Sequence, residues 1–436
     1  MDARNVPLLG GAGQATDRLA RFLRERGRSA SAIGKRTRIG GVVMIIGIPR
    51  ESFPGERRVA MVPSVVPTLT KAGFEVAVEA GAGASAGYLD KDYADKGAKI
   101  LASRADVFKT ADVVVQVLCY GSNDKTGRDD VALYRSGQFL IGFLRPQGAV
   151  ETLKDIASKG VASFSIELMP RITRAQSMDA LSAMATVSGY KAVLLAADTL
   201  PRLCPMLTTA AGTVTPARIF VMGAGVAGLQ AIATARRLGA VVSAYDVRPA
   251  VKEQVQSLGG RFVELPLEAK DAQDARGYAT AQDDAFYRKQ RELLGKVVAE
   301  SDVVITTAVV PGKKAPILVT EEMVKGMAPG SVIVDLAAER GGNCEITEAG
   351  QTVVKHNVSI VGLINLASAV PYHASQMYAK NVATFLVHLF KGGKPELNLD
   401  DEITRETLIT RGGEIVHARV REFFKLPALA APKPAQ

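Results

Sequence analysis

Short apolar runs alternate with helix-forming segments along most of this chain of 436 residues. The runs are continuous and rich in Val and Ile, which is typical of strands buried on both faces of a parallel sheet. In the N-terminal half of the chain they predict strands at residues 44–49, 75–79, 111–118, 139–143 and 162–166. In the C-terminal half they predict strands at residues 219–222, 241–244, 261–263, 302–306, 332–335 and 360–361.

Proline-poor, alanine-rich or amphipathic segments between these runs predict the helices. They lie at residues 63–72, 150–159, 176–200, 229–238, 283–294 and 374–391. The stretch 176–200 is long enough to link two domains, and 374–391 is expected to return the chain to the first of them. The alternation predicts an α/β fold of two Rossmann-like, doubly wound parallel-sheet domains joined by long helices.

The most specific motif follows the predicted strand 219–222. Gly223, Gly225 and Gly228 form a G-x-G-x-x-G pattern that opens the helix 229–238. The first glycine permits a tight turn, the second lets a pyrophosphate approach the backbone, and the third lets the helix pack closely on the strand. The helix N-terminus, with Val226 in its first turn, offers N–H groups and a positive dipole end to the anion.

An acid at the end of the next predicted strand sets the expected cofactor. Asp246 stands where a carboxylate accepts hydrogen bonds from the adenosine ribose, and it would repel a 2′-phosphate. We therefore predict NAD(H) rather than NADP(H), with Arg248 as a neighbouring cofactor-binding residue. A structural glycine turn in an unrelated α/β protein is the alternative.

These observations divide the chain into predicted domains. Residues 1–43 form a basic extension, 44–175 plus 374–426 the first Rossmann-like domain, 176–373 the NAD(H)-binding domain, and 427–436 an Ala/Pro-rich tail. A polar insertion, 265–291, separates two strands of the second domain. It is either a surface excursion or a mobile lid over the nucleotide, closed by Tyr278.

Charge and cysteine usage narrow the possible partners. Residues 1–43 hold nine Lys/Arg and three Asp/Glu, so this extension supplies much of the formal net charge of +10. It is either a disordered or mis-started segment, with a short helix possible at 17–28, or a transit peptide. Nucleic acid is not an expected partner, because the charges are not interleaved with a series of aromatic side chains.

The remaining composition predicts a protein without a bound metal. Neither the cysteines nor the histidines show ligand spacing, which favours three buried thiols in a reducing compartment. They are Cys119, Cys204, Cys344, His356, His373, His388 and His417. No apolar run reaches the length of a membrane span, so the chain by itself is expected to be soluble.

A second polar cluster precedes the long helix 176–200. It comprises Arg171, Arg174, Gln176, Asp179 and Ser182, with Ser177 as a candidate N-cap. Asp179 and Ser182 would share one helical face. None of these side chains is a proton shuttle at neutral pH, so they predict binding and orientation rather than acid–base catalysis.

The motifs RITRAQSMD, KEQVQSLGG, RGYA, ITTAVVPGKKAP and PGSVIVDLAAERGGNC, with the glycine turn, resemble one family. It is the NAD(H)-binding component, domain I of the α subunit, of proton-translocating NAD(P)⁺ transhydrogenase. The resemblance covers about residues 44–417. It departs from the family pattern at Thr186 and at residues 365–369.

The resemblance implies specific roles. Arg171, Asp179 and Ser182 would hold the NAD(H) nicotinamide, and Gln176 would reach toward NADP(H) on a partner subunit. Asp246 would bind ribose, and Tyr278 would be the mobile-loop tyrosine. The family implies a homodimer in the split-subunit form, with a β subunit and a small membrane subunit. The chain would then be cytoplasmic, peripheral on the inner face of the bacterial plasma membrane.

Two other functions fit parts of the sequence. Alanine dehydrogenase shares the two-domain fold, but that family carries a catalytic His after the strand corresponding to 139–143, where this chain has FLRPQG. An alcohol or amine dehydrogenase needs an acid–base group, whereas direct hydride transfer between two nicotinamides needs only orientation. An NAD-sensing regulatory module is the second alternative, and it would have no use for nicotinamide-orienting residues.

Overall fold

A computed structural model describes residues 43–266, 282–309, 314–394, 397–427 and 429. The chain divides into two compact units. Unit 1 takes the chain through Ala180 and again from Pro371 onward, and unit 2 is Leu181–Val370. The possible helix at 17–28, the loop residue Tyr278 and most of the tail 427–436 lie outside the described residues.

The strands follow the predicted runs closely. In chain order they are β1 Ile45–Ile48, β2 Glu75–Glu79, β3 Lys99–Leu101, β4 Val113–Leu118, β5 Phe139–Phe143, β6 Ala162–Ser165, β7 Leu207–Thr209, β8 Gly212–Val214, β9 Arg218–Met222, β10 Val241–Tyr245, β11 Arg261–Phe262, β12 Val303–Thr306, β13 Val332–Asp335, β14 Thr352–Lys355, β15 Val358–Val361, β16 Leu408–Arg411 and β17 Glu414–Ile415.

The helices lie between these strands, and short 3-10 turns precede several of them. They are α1 Val66–Lys71, α2 Asp90–Ala94, α3 Arg104–Thr110, α4 Val150–Ser158, α5 Ala180–Thr199, α6 Val226–Arg237, α7 Lys252–Ser257, α8 Asp284–Ala299, α9 Glu321–Lys325, α10 Pro371–Leu389, α11 Glu402–Thr407 and α12 Ala418–Phe423.

Unit 1 is built on a sheet with the strand order β17-β16-β6-β5-β4-β1-β2-β3. The strands β1 to β6 are parallel, and β1 lies between β2 and β4, where Ile46 pairs with Val76 and Val113. The segment after α10 adds β16 and β17 antiparallel at the edge next to β6. The predicted parallel sheet is therefore confirmed, with an antiparallel edge that the apolar runs did not indicate.

Unit 2 has the strand order β11-β10-β9-β12-β13-β15-β14. All pairs are parallel except β14 with β15. One face of the sheet is covered by α5 and α6, through buried residues such as Ala192 and Ala231. The other face is covered by α8 through Leu294 and Val298. This doubly wound arrangement was predicted from the sequence.

The helix α5 differs from the prediction at its start. Residues Thr173–Met178 form a 3-10 turn, and Asp179 has a non-helical ψ of 83° directly before α5 begins. Ser177 lies inside that turn, so its predicted role as the N-cap is wrong, and Asp179 does not share a helical face with Ser182. Asp179 occupies the position before the first helical residue because its backbone conformation ends the turn.

By length and composition, α5 alone among the described helices could cross a membrane, with a mean hydropathy of 1.4. A core helix of a soluble protein has the same properties. Ala192, Val193 and Ala196 are fully buried in the core of unit 2. Gly189 lies so close to the backbone of Ala227 that a Cβ would overlap the Ala227 carbonyl oxygen. These contacts account for its apolar composition.

Candidate functional site

The glycine turn lies at the carboxyl end of β9, in the middle of the unit 2 sheet. Gly223 has a φ of 102°, which L side chains rarely adopt, and its N–H donates to the Tyr245 carbonyl oxygen at 2.8 Å. A Cβ on Gly228 would overlap the carbonyl oxygen of Gly223. The first and third glycines are thus required by the fold itself.

Gly225 has a different environment from its two neighbours. It precedes the first turn of α6, at φ −76° and ψ −168°, and no described atom lies within 4 Å of the place a Cβ would occupy. Neither its conformation nor its packing demands glycine. The open space lies at the N-terminus of a helix of 12 residues, beside the exposed Val226. A dinucleotide pyrophosphate fits this position, since it needs close approach to the backbone and free N–H donors.

The predicted ribose-binding acid lies at the end of the adjacent strand. Asp246 is buried, and its Oδ2 accepts the N–H of Ala224 within the glycine turn at 2.8 Å. Arg248 holds the same carboxylate in a forked ion pair, with Nε 2.9 Å from Oδ1 and Nη2 2.8 Å from Oδ2. The predicted neighbours are therefore brought together, but Arg248 pairs with Asp246 instead of standing beside it.

A buried hydrogen-bond network supports the turn from the other side, and the sequence pattern did not identify it as belonging to the site. The Thr307 hydroxyl donates to the Gly223 carbonyl oxygen at 2.9 Å. The amide N–H of Ala308 donates to Oδ1 of Asn343 at 3.0 Å. Asp335, at the end of β13, accepts the N–H of Asn343 at 2.8 Å. Their positions at the carboxyl ends of neighbouring parallel strands are the signal that could have indicated them.

The predicted nicotinamide residues are divided between the units. Arg171, Gln176 and Asp179 belong to one loop of unit 1, where Arg171 and Gln176 are exposed and Asp179 is half-buried. Ser182 belongs to unit 2, in the first turn of α5. Its carbonyl oxygen accepts the hydroxyl of Thr186 at 3.0 Å. The role of Tyr278 remains a prediction, since it lies outside the described residues.

The loop of Gln176 is tied to the C-terminal region of unit 1. Nη1 of Arg174 lies 2.7 Å from Oδ1 of Asp401, and Nε2 of His388 lies 2.8 Å from the other oxygen. The side-chain amide of Asn381, on α10, donates to the carbonyl oxygen of Ser177 at 2.8 Å. These contacts fix the backbone on both sides of Gln176 and leave its side chain exposed.

Of the sequence segments that depart from the family pattern, the one at 365–369 has a specific conformation. Asn365 adopts a left-handed φ of 52°, and its N–H donates to Oε1 of Glu339 at 2.6 Å. Residues Leu366–Ala369 then form a 3-10 turn. Asn is among the residues that tolerate this backbone conformation, which proline cannot adopt.

Unit 1 carries charged side chains at the position that corresponds to the glycine turn. Glu51 follows β1, is buried, and accepts the N–H groups of Val117 and Leu118 at 2.6 and 3.1 Å. Burial, followed by the nearby Glu56, raises the pKa of Glu51 from 4.5 to about 8. Glu56 is itself paired with the buried Arg58 at 2.6 Å. A cavity of about 400 Å³ adjoins these residues.

The three cysteines are buried, as predicted, and burial raises the pKa of each thiol. Within the described ranges, no three His, Cys, Asp or Glu side chains are grouped so as to hold a metal ion.

Two doubly wound units, one with a nucleotide-binding glycine turn, define the class of NAD-binding oxidoreductases with Rossmann-like domains. The family models "Alanine dehydrogenase/PNT, N-terminal domain" and "Alanine dehydrogenase/PNT, C-terminal domain" match residues 47–188 and 192–418. The chain belongs to this family.

Within the family, the chain is more similar to transhydrogenase subunits than to alanine dehydrogenases. It is 49% identical over 380 residues to an NAD(P) transhydrogenase subunit alpha protein of Rhodospirillum rubrum, covering 86% of this chain and 98% of that protein. It matches a transhydrogenase structure from Sinorhizobium meliloti at 46% identity and a TM-score of 0.74, over 86% and 99% of the two chains. Alanine dehydrogenase of Methanococcus maripaludis is 27% identical, over 89% of this chain and 99% of that protein.

Proposed function

We propose that this chain is the NAD(H)-binding subunit of a proton-translocating NAD(P)⁺ transhydrogenase. The observation that carries the proposal is the glycine turn, where the fold requires Gly223 and Gly228, while Gly225 borders open space next to a buried carboxylate. The similarity to proteins named NAD(P) transhydrogenase subunit alpha supports the same function.

In this proposal each polar group of the site binds or orients the cofactor. The turn and Val226 would hold the pyrophosphate of NAD(H), Asp246 and Arg248 would form the ribose site, and Tyr278 would close over it. Arg171, Asp179 and Ser182 would hold the nicotinamide, and Gln176 would face the partner's nucleotide. When bound, NADH supplies the hydride, and the protein supplies orientation, which can contribute several orders of magnitude in rate.

The reaction requires partner chains. NADP(H) would be bound by a β subunit, and a small membrane subunit would complete the proton path. The chain itself would act as a homodimer, cytoplasmic and attached to the inner face of the plasma membrane through these partners. The relatives named subunit alpha support membership of such a complex.

Alanine dehydrogenase is less well supported. None of the four histidines follows β5, and Leu144 and Arg145 occupy that place, with their N–H groups bound by the Glu167 carboxylate at 3.0 and 2.8 Å. A carboxylate committed to backbone donors is poorly placed to serve as a general base. The NAD-sensing module is separated from the transhydrogenase only by activity.

Stopped-flow hydride transfer tests the proposal. The full chain is mixed with NADH and with a purified NADP(H)-binding partner carrying an NADP⁺ analogue. Gln176→Asn keeps the amide and shortens its reach by one methylene, so we expect unchanged NADH binding and a transfer rate lower by about tenfold.

Gln254→Asn, an exposed change on α7, is the matched control and should transfer hydride at the wild-type rate. Equal rates in the Gln176→Asn and wild-type proteins would remove Gln176 from the site. Rapid NADH formation from alanine and NAD⁺ by this chain alone would overturn the transhydrogenase assignment, and NADH binding with no transfer to any partner would favour the sensor.

A further inference from the structure

The carboxylate of Asp246 is fully engaged by donors of its own chain. Oδ1 accepts the backbone N–H and the Nε of Arg248, both at 2.9 Å. Oδ2 accepts the N–H of Ala224 and the Nη2 of Arg248, both at 2.8 Å. The side chains of Asp246 and Arg248 are only 5% and 13% exposed, so water screens this pair weakly.

A carboxylate has about four acceptor positions, and these four donors fill them. A ribose diol that binds Asp246 must therefore displace a donor. The two backbone N–H groups are fixed by the glycine turn and by the chain after β10, whereas the guanidinium is carried by a side chain that can rotate away. Arg248 is thus the donor that a ribose would replace.

We propose that Arg248 is an internal competitor of the ribose for Asp246 and thereby sets both the affinity for NAD(H) and the selectivity against NADP(H). This inference rests on the proposed function, since it assumes that Asp246 receives the ribose. Forked arginine–carboxylate pairs are among the stronger polar contacts, so displacing one lowers the affinity of the incoming ligand. Once displaced, the guanidinium is a cation beside the ribose, where a 2′-phosphate would be attracted to it.

Two opposing effects on the two cofactors follow. Removing Arg248 abolishes the competition for NADH and at the same time exposes an uncompensated carboxylate to the 2′-phosphate of NADPH. Removing the Asp246 charge instead releases Arg248 and favours NADPH. A residue with only a structural role would change both affinities in the same direction.

Calorimetric titration of the full chain with NADH and with NADPH tests this. For Arg248→Ala we expect NADH to bind at least about threefold more tightly and NADPH more weakly, widening their ratio roughly tenfold. Arg248→Lys keeps a point charge without the fork and should lie between Arg248→Ala and wild type. Asp246→Asn should narrow the ratio.

Arg237→Ala, which removes an equal charge from the exposed end of α6, is the matched control and should leave both affinities unchanged. Thermal unfolding confirms that each variant is folded, and Arg248→Gln replaces Arg248→Ala if the latter is not. Unchanged or weaker NADH binding by a folded Arg248→Ala or Arg248→Gln protein, or an unchanged ratio, would overturn this inference and leave the proposed function intact. Wild-type protein that binds no NADH would overturn both.

Discussion

The two units have the same sheet topology and differ at one point. In unit 1 the strand β1 lies between β4 and β2, and in unit 2 the strand β9 lies between β12 and β10. This is the place in an open α/β sheet where ligands usually bind. After β9 the chain continues with Gly223, whereas after β1 it continues toward Glu51, whose carboxylate accepts two N–H groups at the end of β4.

The difference shows what a phosphate site requires beyond the fold. Unit 2 leaves backbone and a helix N-terminus accessible at Gly225. In unit 1 the buried carboxylate of Glu51 already binds the strand-end N–H groups that a ligand could otherwise use. The same topology therefore supports an open anion site in one unit and a self-satisfied polar cluster in the other.

The comparison is broken most strongly at Gly228. Gly228→Ala places a methyl group against the Gly223 carbonyl oxygen, so α6 must move away from β9. We expect the free energy of unfolding to fall by about 3 kcal/mol, measured by urea denaturation. Gly295→Ala is the control: it lies within α8 with no described atom near its Cβ position, and alanine there should stabilise by roughly 0.5–1 kcal/mol. Equal effects of the two changes would contradict this view of the turn.

Glu51 gives unit 1 a pH dependence. With a pKa of about 8 when folded and 4.5 as its ordinary value, this group is protonated in the folded chain and ionised in the unfolded chain between those values. The unfolded state then binds fewer protons, so stability falls as pH rises from about 4.5 to 8. Glu51→Gln removes this slope and should gain roughly 2 kcal/mol relative to wild type between pH 5 and 9. Parallel stability profiles of the two proteins would refute the assignment.

Gly225→Ala sharpens the comparison because it should affect binding alone. Its φ of −76° suits alanine, and its Cβ meets no described atom, so the unfolding midpoint should not fall. The methyl group would occupy the space proposed for the pyrophosphate. We expect NADH affinity, measured by calorimetry, to fall at least about tenfold. Undiminished affinity would place the cofactor elsewhere.

The smallest expected effect on stability is that of Arg174→Ala. The Arg174 side chain is 56% exposed, and Asp401 keeps His388 and the N–H of Thr404 as partners. Exposed ion pairs contribute less than about 1 kcal/mol. Hydride transfer should slow a few-fold, because the loop carrying Gln176 loses one of its two anchors. A large loss of stability without a change in transfer would assign Arg174 a structural role only.

The sequence predicted what depends on local pattern. Continuous apolar runs identified the central strands, and spacing identified the roles of Gly223 and Gly228, because both follow from backbone sterics. The pairing of Arg248 with Asp246 was not predicted, since it depends on a rotamer that no spacing specifies. The N-cap at Ser177 was wrong because the polar residues around it favour a 3-10 turn as readily as a helix start. The antiparallel strands β16 and β17 are short and lie far along the chain from their partner.

The interruption of unit 1 has a consequence for how the protein is made. Unit 2 is one continuous segment, whereas unit 1 needs residues after Pro371, including Ser375, which accepts the N–H of Val59, and Tyr378, which donates to the Gln116 carbonyl oxygen at 2.7 Å. During synthesis from the N-terminus, unit 2 is complete on the ribosome while β6 still awaits its neighbour β16. The first unit to be started is thus the last to be finished, and until then its sheet has an edge open to chaperones or to other nascent chains.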